Sequence, residues 1–325
     1  MSMREVLWVD MQSMSVENSI PHKLTRLFEE SGGLAGLSEG MRVALKINTA
    51  EDGYEYGLRP VFVRTIAEIV NRFTRVHPTI CDGIKLIDYW RKSGGKRSAG
   101  KTFLEVARKQ GYANDTLGGN FVINGGFSGD EGNLYSCDLS GSMVGGVEVG
   151  TAVCRSDALI VLSHVTLHPL FGLSGALLNG GFECIIGHEK TRILKGLNPY
   201  PFNGSYPEAS ELIAFQRRAL ECLLSVRKSM EDRIFYVNYL WDVTPQPEYF
   251  PYSKSPVVDN LGFMASSDPV ALDAATFTLL QERWDTRVNQ TNLPGFTRDI
   301  DFLSVLKVAE LLGMGSVAYS IRELS

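Results

Sequence analysis

The stretch Ser163-His164-Val165-Thr166-Leu167-His168-Pro169 carries two histidines directly after the apolar run ALIVL. Imidazole is the side chain that titrates near neutrality and whose neutral form ligates metals, so this pair suits proton transfer, anion binding or a metal. A loop histidine also serves simply by hydrogen-bonding backbone, and both readings stay open for His164 and His168. Downstream, Gly172-Leu173-Ser174-Gly175-Ala176-Leu177-Leu178-Asn179-Gly180-Gly181 opens a helix on small residues, an arrangement whose backbone N–H groups suit a carboxylate or phosphate. It matches neither the Walker spacing nor a dinucleotide fingerprint. Lys46 interrupts the apolar segment VALKIN, where an ammonium must reach water, pair with a carboxylate or meet an anionic ligand. Asp242 ends FYVNYLWD as a carboxylate or a turn residue, and Asp268-Pro269 reads as a helix cap.

The elements that would position these residues alternate. EVLWVDM, RVALKIN, PTICDG and NFVING read as strands, and HKLTRLFEESGG, RPVFVRTIAEIVNRF and GKTFLEVARKQGY as the helices between them. This rhythm predicts an α/β fold: a mainly parallel open sheet flanked by helices, containing VALKIN, PTICDG, FVING and ALIVLSH. Residues from about 130 to 155 are glycine-rich and predict a small β meander, and ALIVLSH reads as a strand buried on both faces. A long helix starts near Ser210 as N-cap, after the irregular link KGLNPYPFNGSYPE. The 325 residues are expected to form one family-type α/β domain, divisible into lobes of about 1–130 and 131–325. Ligands of such sheets collect at the carboxyl ends of strands, where Asp82 and Asn124 also fall.

With 44% hydrophobic and 21% charged residues the chain has enough apolar material for a full core, which excludes a disordered or fibrous protein. A net charge of −5 leaves no basic footprint for nucleic acid or an anionic membrane, and no signal peptide or spanning segment is legible. A cytoplasmic location is expected. Cys81, Cys137, Cys154, Cys184 and Cys222 are separated by 56, 17, 30 and 38 residues, so no iron–sulfur cluster is expected, and no other cofactor is specified.

Taken in order, several segments resemble the family catalogued as domain of unknown function 362, particularly its ferredoxin-containing branch. ALKIN with RPVFVRTIAEIV, ICDGIKLIDYWRKSG, FVINGG, LSHVTLHPLFGLSGALLNGG, VNYLWDVTP and LGFMASSDPVALDAA carry the resemblance over nearly the whole chain. Within them, Ser163, His164, His168, Gly172, Gly175, Asn179, Asn238, Asp242, Thr244, Pro245, Asp268, Pro269, Ala271 and Asp273 match the family pattern. The departures are specific. Thr166 and Leu178 stand where the family has lysines, and Glu248-Tyr249-Phe250 stand where the branch has cysteine-aspartate-cysteine. The clustered cysteines of an inserted ferredoxin module are absent, and only Cys184 falls where the branch often has one. The resemblance implies an α/β relative that has lost its electron-transfer equipment.

Three functions compete. The first is an enzyme acting on a small anion by acid–base or metal-assisted chemistry. Lys46, Asp82, Gly172, Gly175 and Asn179 would bind, His164, His168 and Asp242 would act, and the two histidines are the candidate metal ligands. The second is an inactive binding or scaffolding subunit, homo-oligomeric or paired with a cluster-bearing relative. The third is a redox enzyme with a diffusible cofactor. The first reading predicts that His164, His168 and Lys46 share one cleft, and that Lys46→Met leaves stability nearly unchanged. Histidines on opposite faces of the sheet would favour the scaffold instead.

Overall fold

The computed structural model describes residues 3–91, 99–200, 207–283 and 300–324. Parts of two segments read above (ICDGIKLIDYWRKSG and KGLNPYPFNGSYPE) lie outside the described residues.

The strands are β1 (Arg4–Val9), β2 (Val43–Lys46), β3 (Thr79–Gly83), β4 (Asn120–Asn124), β5 (Gly132–Ser136), β6 (Gly146–Gly150), β7 (Ala158–His164), β8 (Thr166–His168), β9 (Gly172–Ser174), β10 (Ile234–Leu240), β11 (Gly262–Ser266) and β12 (Tyr319–Glu323). Eight of them form one sheet in the order β12-β1-β11-β10-β7-β2-β3-β4. The pairings of β7 with β10 and β2, of β2 with β3, of β3 with β4 and of β1 with β12 are parallel; β11 runs antiparallel to both its neighbours. The chain is therefore α/β with a mainly parallel sheet, and the four expected strands all belong to it, adjacent in the order β7-β2-β3-β4. The glycine-rich meander is the antiparallel hairpin β5-β6, and β8-β9 form a second small hairpin over the sheet's carboxyl edge.

Alternation along β7 explains the two cores. Leu159 and Val161 pack on one face with residues of the helices Ala209–Ser229 and Pro269–Arg283. Ile160 and Leu162 pack on the other with the helices Ile20–Glu30 and Pro60–Thr74. Successive strand side chains point to opposite faces, so a strand buried on both is continuously apolar. Pro60 opens its helix at the first turn, where a missing N–H costs no helical bond.

The long helix begins two residues earlier than the Ser210 cap predicts. Its N-cap is Glu208, whose backbone N–H donates to Glu211 Oε2 at 3.3 Å in a capping box. Asp268 is a cap as expected, accepting from the Val270 and Ala271 amides at 3.0 and 2.9 Å. Among the described residues no helix is long and apolar enough to cross a membrane.

Candidate functional site

At the carboxyl ends of β2 and β3 the sheet buries charge. Lys46 is fully buried, and its Nζ lies 3.0 Å from Asp82 Oδ1 and donates to the Ile47 carbonyl at 2.8 Å. Asp82 is saturated. Its Oδ2 accepts from the Thr49 amide (2.9 Å), the Thr49 hydroxyl (2.7 Å) and Lys85 Nζ (2.9 Å), and its Oδ1 from the Gly83 amide (2.8 Å). Burial alone would favour a neutral Asp82, but Lys46, Lys85 and these donors outweigh it and hold the carboxyl far below its ordinary range. Burial likewise opposes the Lys46 charge, and Asp82, with smaller help from neighbouring acidic groups, more than restores it.

Asn48, two residues beyond Lys46, ties three segments together. Its Oδ1 accepts from the His164 amide at 3.1 Å, which fixes the orientation of the carboxamide. Its Nδ2 therefore donates to Asn179 Oδ1 at 2.7 Å and to Glu248 Oε1 at 2.8 Å. The other oxygen, Glu248 Oε2, is buried without a hydrogen-bond partner. Burial raises the Glu248 carboxyl to about 7, against the lowering pull of Lys85.

Glu248 and Lys85 line a cavity with His168, Glu183, Lys190 and Tyr249, its apolar wall including Leu86, Phe182 and Phe215. About 30 Å³ of it is open to the centre of a water molecule. Glu183 pairs with Lys190, whose ammonium is almost wholly buried. His168 Nδ1 accepts from the Leu170 and Phe171 amides at 3.2 and 3.0 Å, so the ring hydrogen sits on Nε2, facing Tyr249 Oη at 3.2 Å. Tyr249 in turn donates to the Pro199 carbonyl at 3.2 Å. Burial lowers His168 to about 4, so the ring is neutral near pH 7.

His164 is elsewhere, and the expected shared cleft does not form. Lys46 follows Ala44 on the face that carries Val161, whereas His164 continues the row of Ile160 and Leu162 on the other. Three residues of sequence lie between His164 and His168, but one ends a sheet strand and the other belongs to the overlying hairpin. The two rings point to opposite sides and cannot hold one metal ion. His164 Nε2 donates to the Trp241 carbonyl at 3.0 Å, its ring lies 5.7 Å from that of Tyr239, and Nδ1 has no partner. Burial lowers His164 too, to about 4.

Asp242 stands on the His164 side. It adopts a left-handed φ of 51°, its amide donates to Asn260 Oδ1 at 2.8 Å, and Arg59 approaches its carboxylate at 3.7 Å. The same Arg59 lies 4.2 Å over the Trp241 ring. Partial burial raises the Asp242 carboxyl despite Arg59.

The glycine-rich donors are occupied from within. Asp273 accepts from the Ala176 and Leu177 amides at 2.8 and 2.9 Å and from Asn238 Nδ2 at 2.9 Å. A Cβ on Gly175 would stand 2.3 Å from Asp273 Oδ1, so glycine is required there by the carboxylate. Gly172 has φ of +97°, and a Cβ there would press on Ile300 and Phe302. Asn179 is held at both ends, donating to the Gly175 carbonyl at 2.9 Å. Cys184 donates to the Asn179 carbonyl at 3.2 Å, and burial pushes its thiol up to about 12.

The structure thus brings together Lys46, Asp82, Asn179 and His168, with Gly172 and Gly175 adjoining them as backbone neighbours of His168 and Asn179, and separates His164 and Asp242 from them. The residues that sequence reasoning missed are Asn48, Lys85, Glu183, Lys190 and Glu248. Two had a signal: Lys85 follows Asp82 by three residues, across the turn that ends β3, and Glu248 fills a position where the family branch carries cysteine. Among the described residues a histidine–carboxylate group with metal-like spacing occurs away from the cavity, Glu148, His188 and Glu189, the last of them paired with Arg192.

No curated protein matches the sequence. Among solved structures, the lactate racemase apoprotein from Thermoanaerobacterium thermosaccharolyticum is 14% identical with a TM-score of 0.42, over 78% of this chain and 54% of that one. A Thermotoga maritima protein solved by a structural genomics consortium is 12% identical with a TM-score of 0.37, over 92% of this chain and 59% of the other. The chain therefore spans between half and three-fifths of the lengths of these two proteins. The profile of the family described as Domain of unknown function (DUF362) matches residues 43–278, from β2 into the helix Pro269–Arg283, and the chain belongs to that family.

Proposed function

We propose that this protein binds a small organic anion in the cavity beside β2 and β3 and carries out acid–base chemistry on it. One observation carries the reading: a buried carboxyl, Glu248, has an unpartnered oxygen in a cavity that it shares with the Lys85 and Lys190 ammoniums. Buried polar atoms in folded proteins are normally satisfied, so an orphan lining a cavity favours a missing polar occupant. In this reading Lys85 and Lys190 meet the anion, His168 Nε2–H and Tyr249 orient it, and Glu248 carries the proton. Lys46 and Asp82 hold Lys85 in place from below. The histidines are not the proton carriers: His168 has its only basic nitrogen occupied by two amides, and His164 lies on the opposite face. Metal-assisted chemistry loses its support for the same reason.

The competing scaffold reading has its own observation. Lys46, Asp82 and Asn179 are satisfied within the chain, and the glycine-rich amides already serve Asp273. One experiment separates the two. Short carboxylic acids are screened for binding to wild type and Lys85→Met, and those that bind are incubated with the protein in deuterated water and followed by proton NMR. Loss of binding in Lys85→Met together with catalysed carbon–hydrogen exchange supports the enzyme. Binding without exchange or conversion supports the scaffold, and no binding removes the anion site.

A further inference from the structure

The charges around the cavity sum to a definite number. Lys46, Lys85 and Lys190 supply three positive charges, and Asp82, Glu183 and ionised Glu248 three negative ones, so the set is neutral before any ligand enters. An added anion would leave one uncompensated negative charge in a largely desolvated space, which is expensive. We propose that the ligand is a short-chain monocarboxylate and that Glu248 yields its negative charge to it, the two binding together with one proton on Glu248 Oε2. This rests on the anion-binding reading above and adds its ligand class and its coupling to a proton.

The choice of atom follows from the hydrogen bonds. Asn48 is oriented by the His164 amide, so its Nδ2 must donate to Glu248 Oε1, and that oxygen remains an acceptor. A proton arriving at Glu248 therefore sits on Oε2, the oxygen without a partner, where it can be donated to a bound carboxylate.

The other groups that face Glu248 cannot take this proton. From β3 and the turn after it come Asp82, engaged by five donors including Lys46, and Lys85, already an ammonium. Glu183 is paired with Lys190, and His168 uses its only free nitrogen lone pair on two amides. From the segment after β2, the Tyr54 hydroxyl donates to the Gln246 carbonyl and lies in hydrogen-bond reach of the Thr244 hydroxyl, and Glu51, whose Oε1 accepts from the Asp52 amide, does not line the cavity. Tyr112, Tyr200 and Tyr249 are neutral phenols whose burial pushes ionisation further up. Glu248 is the group left to exchange a proton, and burial already sets it at about 7, close to the point of exchange.

The size and walls of the space select the ligand. Leu86, Phe182 and Phe215 offer apolar surface beside the ammoniums, and the small volume suits a few carbon atoms. A phosphate dianion would bring a second charge that no group present can neutralise.

Isothermal titration calorimetry with acetate and propionate, in two buffers of different ionisation heat across about pH 6 to 9, tests this on the full chain. The expected result is uptake of about one proton per propionate at pH 8, an association constant level below about pH 7 and a fall of about tenfold per pH unit above it. Glu248→Gln, which keeps a donor toward the ligand, should bind propionate with no proton uptake and a flat profile. Wild-type binding without proton uptake overturns the exchange and leaves the anion site standing. No binding of either acid by wild type overturns the anion site and the exchange with it. If Glu248→Gln fails to fold, the wild-type proton count decides alone.

Discussion

Two strand-end regions of this molecule carry conspicuous titratable residues, and they use them in opposite ways. On one face, Lys46, Asp82, Lys85 and Glu248 are buried as interacting charges beside a cavity. On the other, His164 is buried as a neutral ring beside Tyr239, with Trp241 and Phe62 packed around that tyrosine and Arg59 over Trp241 at the rim. Residue type does not separate the regions; the burial of charge does. Where charges are buried together each depends on its partner, so the first region is costly to alter and sensitive to what binds. Where the titratable group is neutral, aromatic packing carries the structure and the charges matter little.

The largest effect should come from Asp82→Ala, which leaves Lys46 and Lys85 buried without their shared counterion. A loss of about 3–5 kcal/mol is expected in urea denaturation at neutral pH. A loss below 1 kcal/mol would mean that the cluster is far better hydrated than its burial implies.

Lys46→Met comes next, and here the expectation from sequence is corrected. Stability was expected to be nearly unchanged because no buried partner would be orphaned; Asp82 is such a partner, at 3.0 Å. Lys85 still serves Asp82 in the variant, so the loss should be smaller than for Asp82→Ala, about 2–3 kcal/mol. Equal losses for the two variants would show that Lys85 does not compensate.

The pH dependence sharpens the contrast. His164 and His168 have folded values near 4, below the ordinary 6.5, so each contributes stability that is present above about pH 6.5 and is lost as pH falls toward 4. Glu248 is raised from 4.5 to about 7, so its contribution has the opposite sign: present below pH 4.5 and lost as pH rises through 7. The two trends oppose each other over the same range. Glu248→Gln should therefore gain stability over wild type as pH rises from 4.5 to 8, by about 2–3 kcal/mol. The variant alone should show the steep acid limb of the histidines. A difference that does not change with pH would sink the assignment of a raised Glu248.

Arg59→Ala tests the second region at its rim. The half-exposed guanidinium stacks on Trp241 and reaches Asp242 at 3.7 Å, so the expected loss in thermal or urea unfolding is below about 1 kcal/mol. Propionate binding at the cavity should not change. A change there would couple the two faces through Asn48, the side chain that touches both.

The sequence by itself determined the sheet. Alternation of apolar runs with amphipathic helices was enough to put β7, β2, β3 and β4 in one mainly parallel sheet, because burial on both faces and the handed crossovers leave few other solutions, while their order in it is set by the pairing. Lys46 was legible as exceptional, since an ammonium inside an apolar strand needs a partner, and Asp82 as the next strand's terminal carboxylate. The sequence did not determine which face each side chain takes at a strand end. Lys46 and His164 sit on neighbouring strands of one edge, yet the pleat sends them to opposite sides, a matter of register that only pairing fixes. Nor could it show that Glu248, about two hundred residues from Asn48, closes the cavity. That contact depends on where the chain between β10 and β11 is laid over the sheet, and a loop's path is set by the packing of its neighbours, which leaves no periodicity in its own residues.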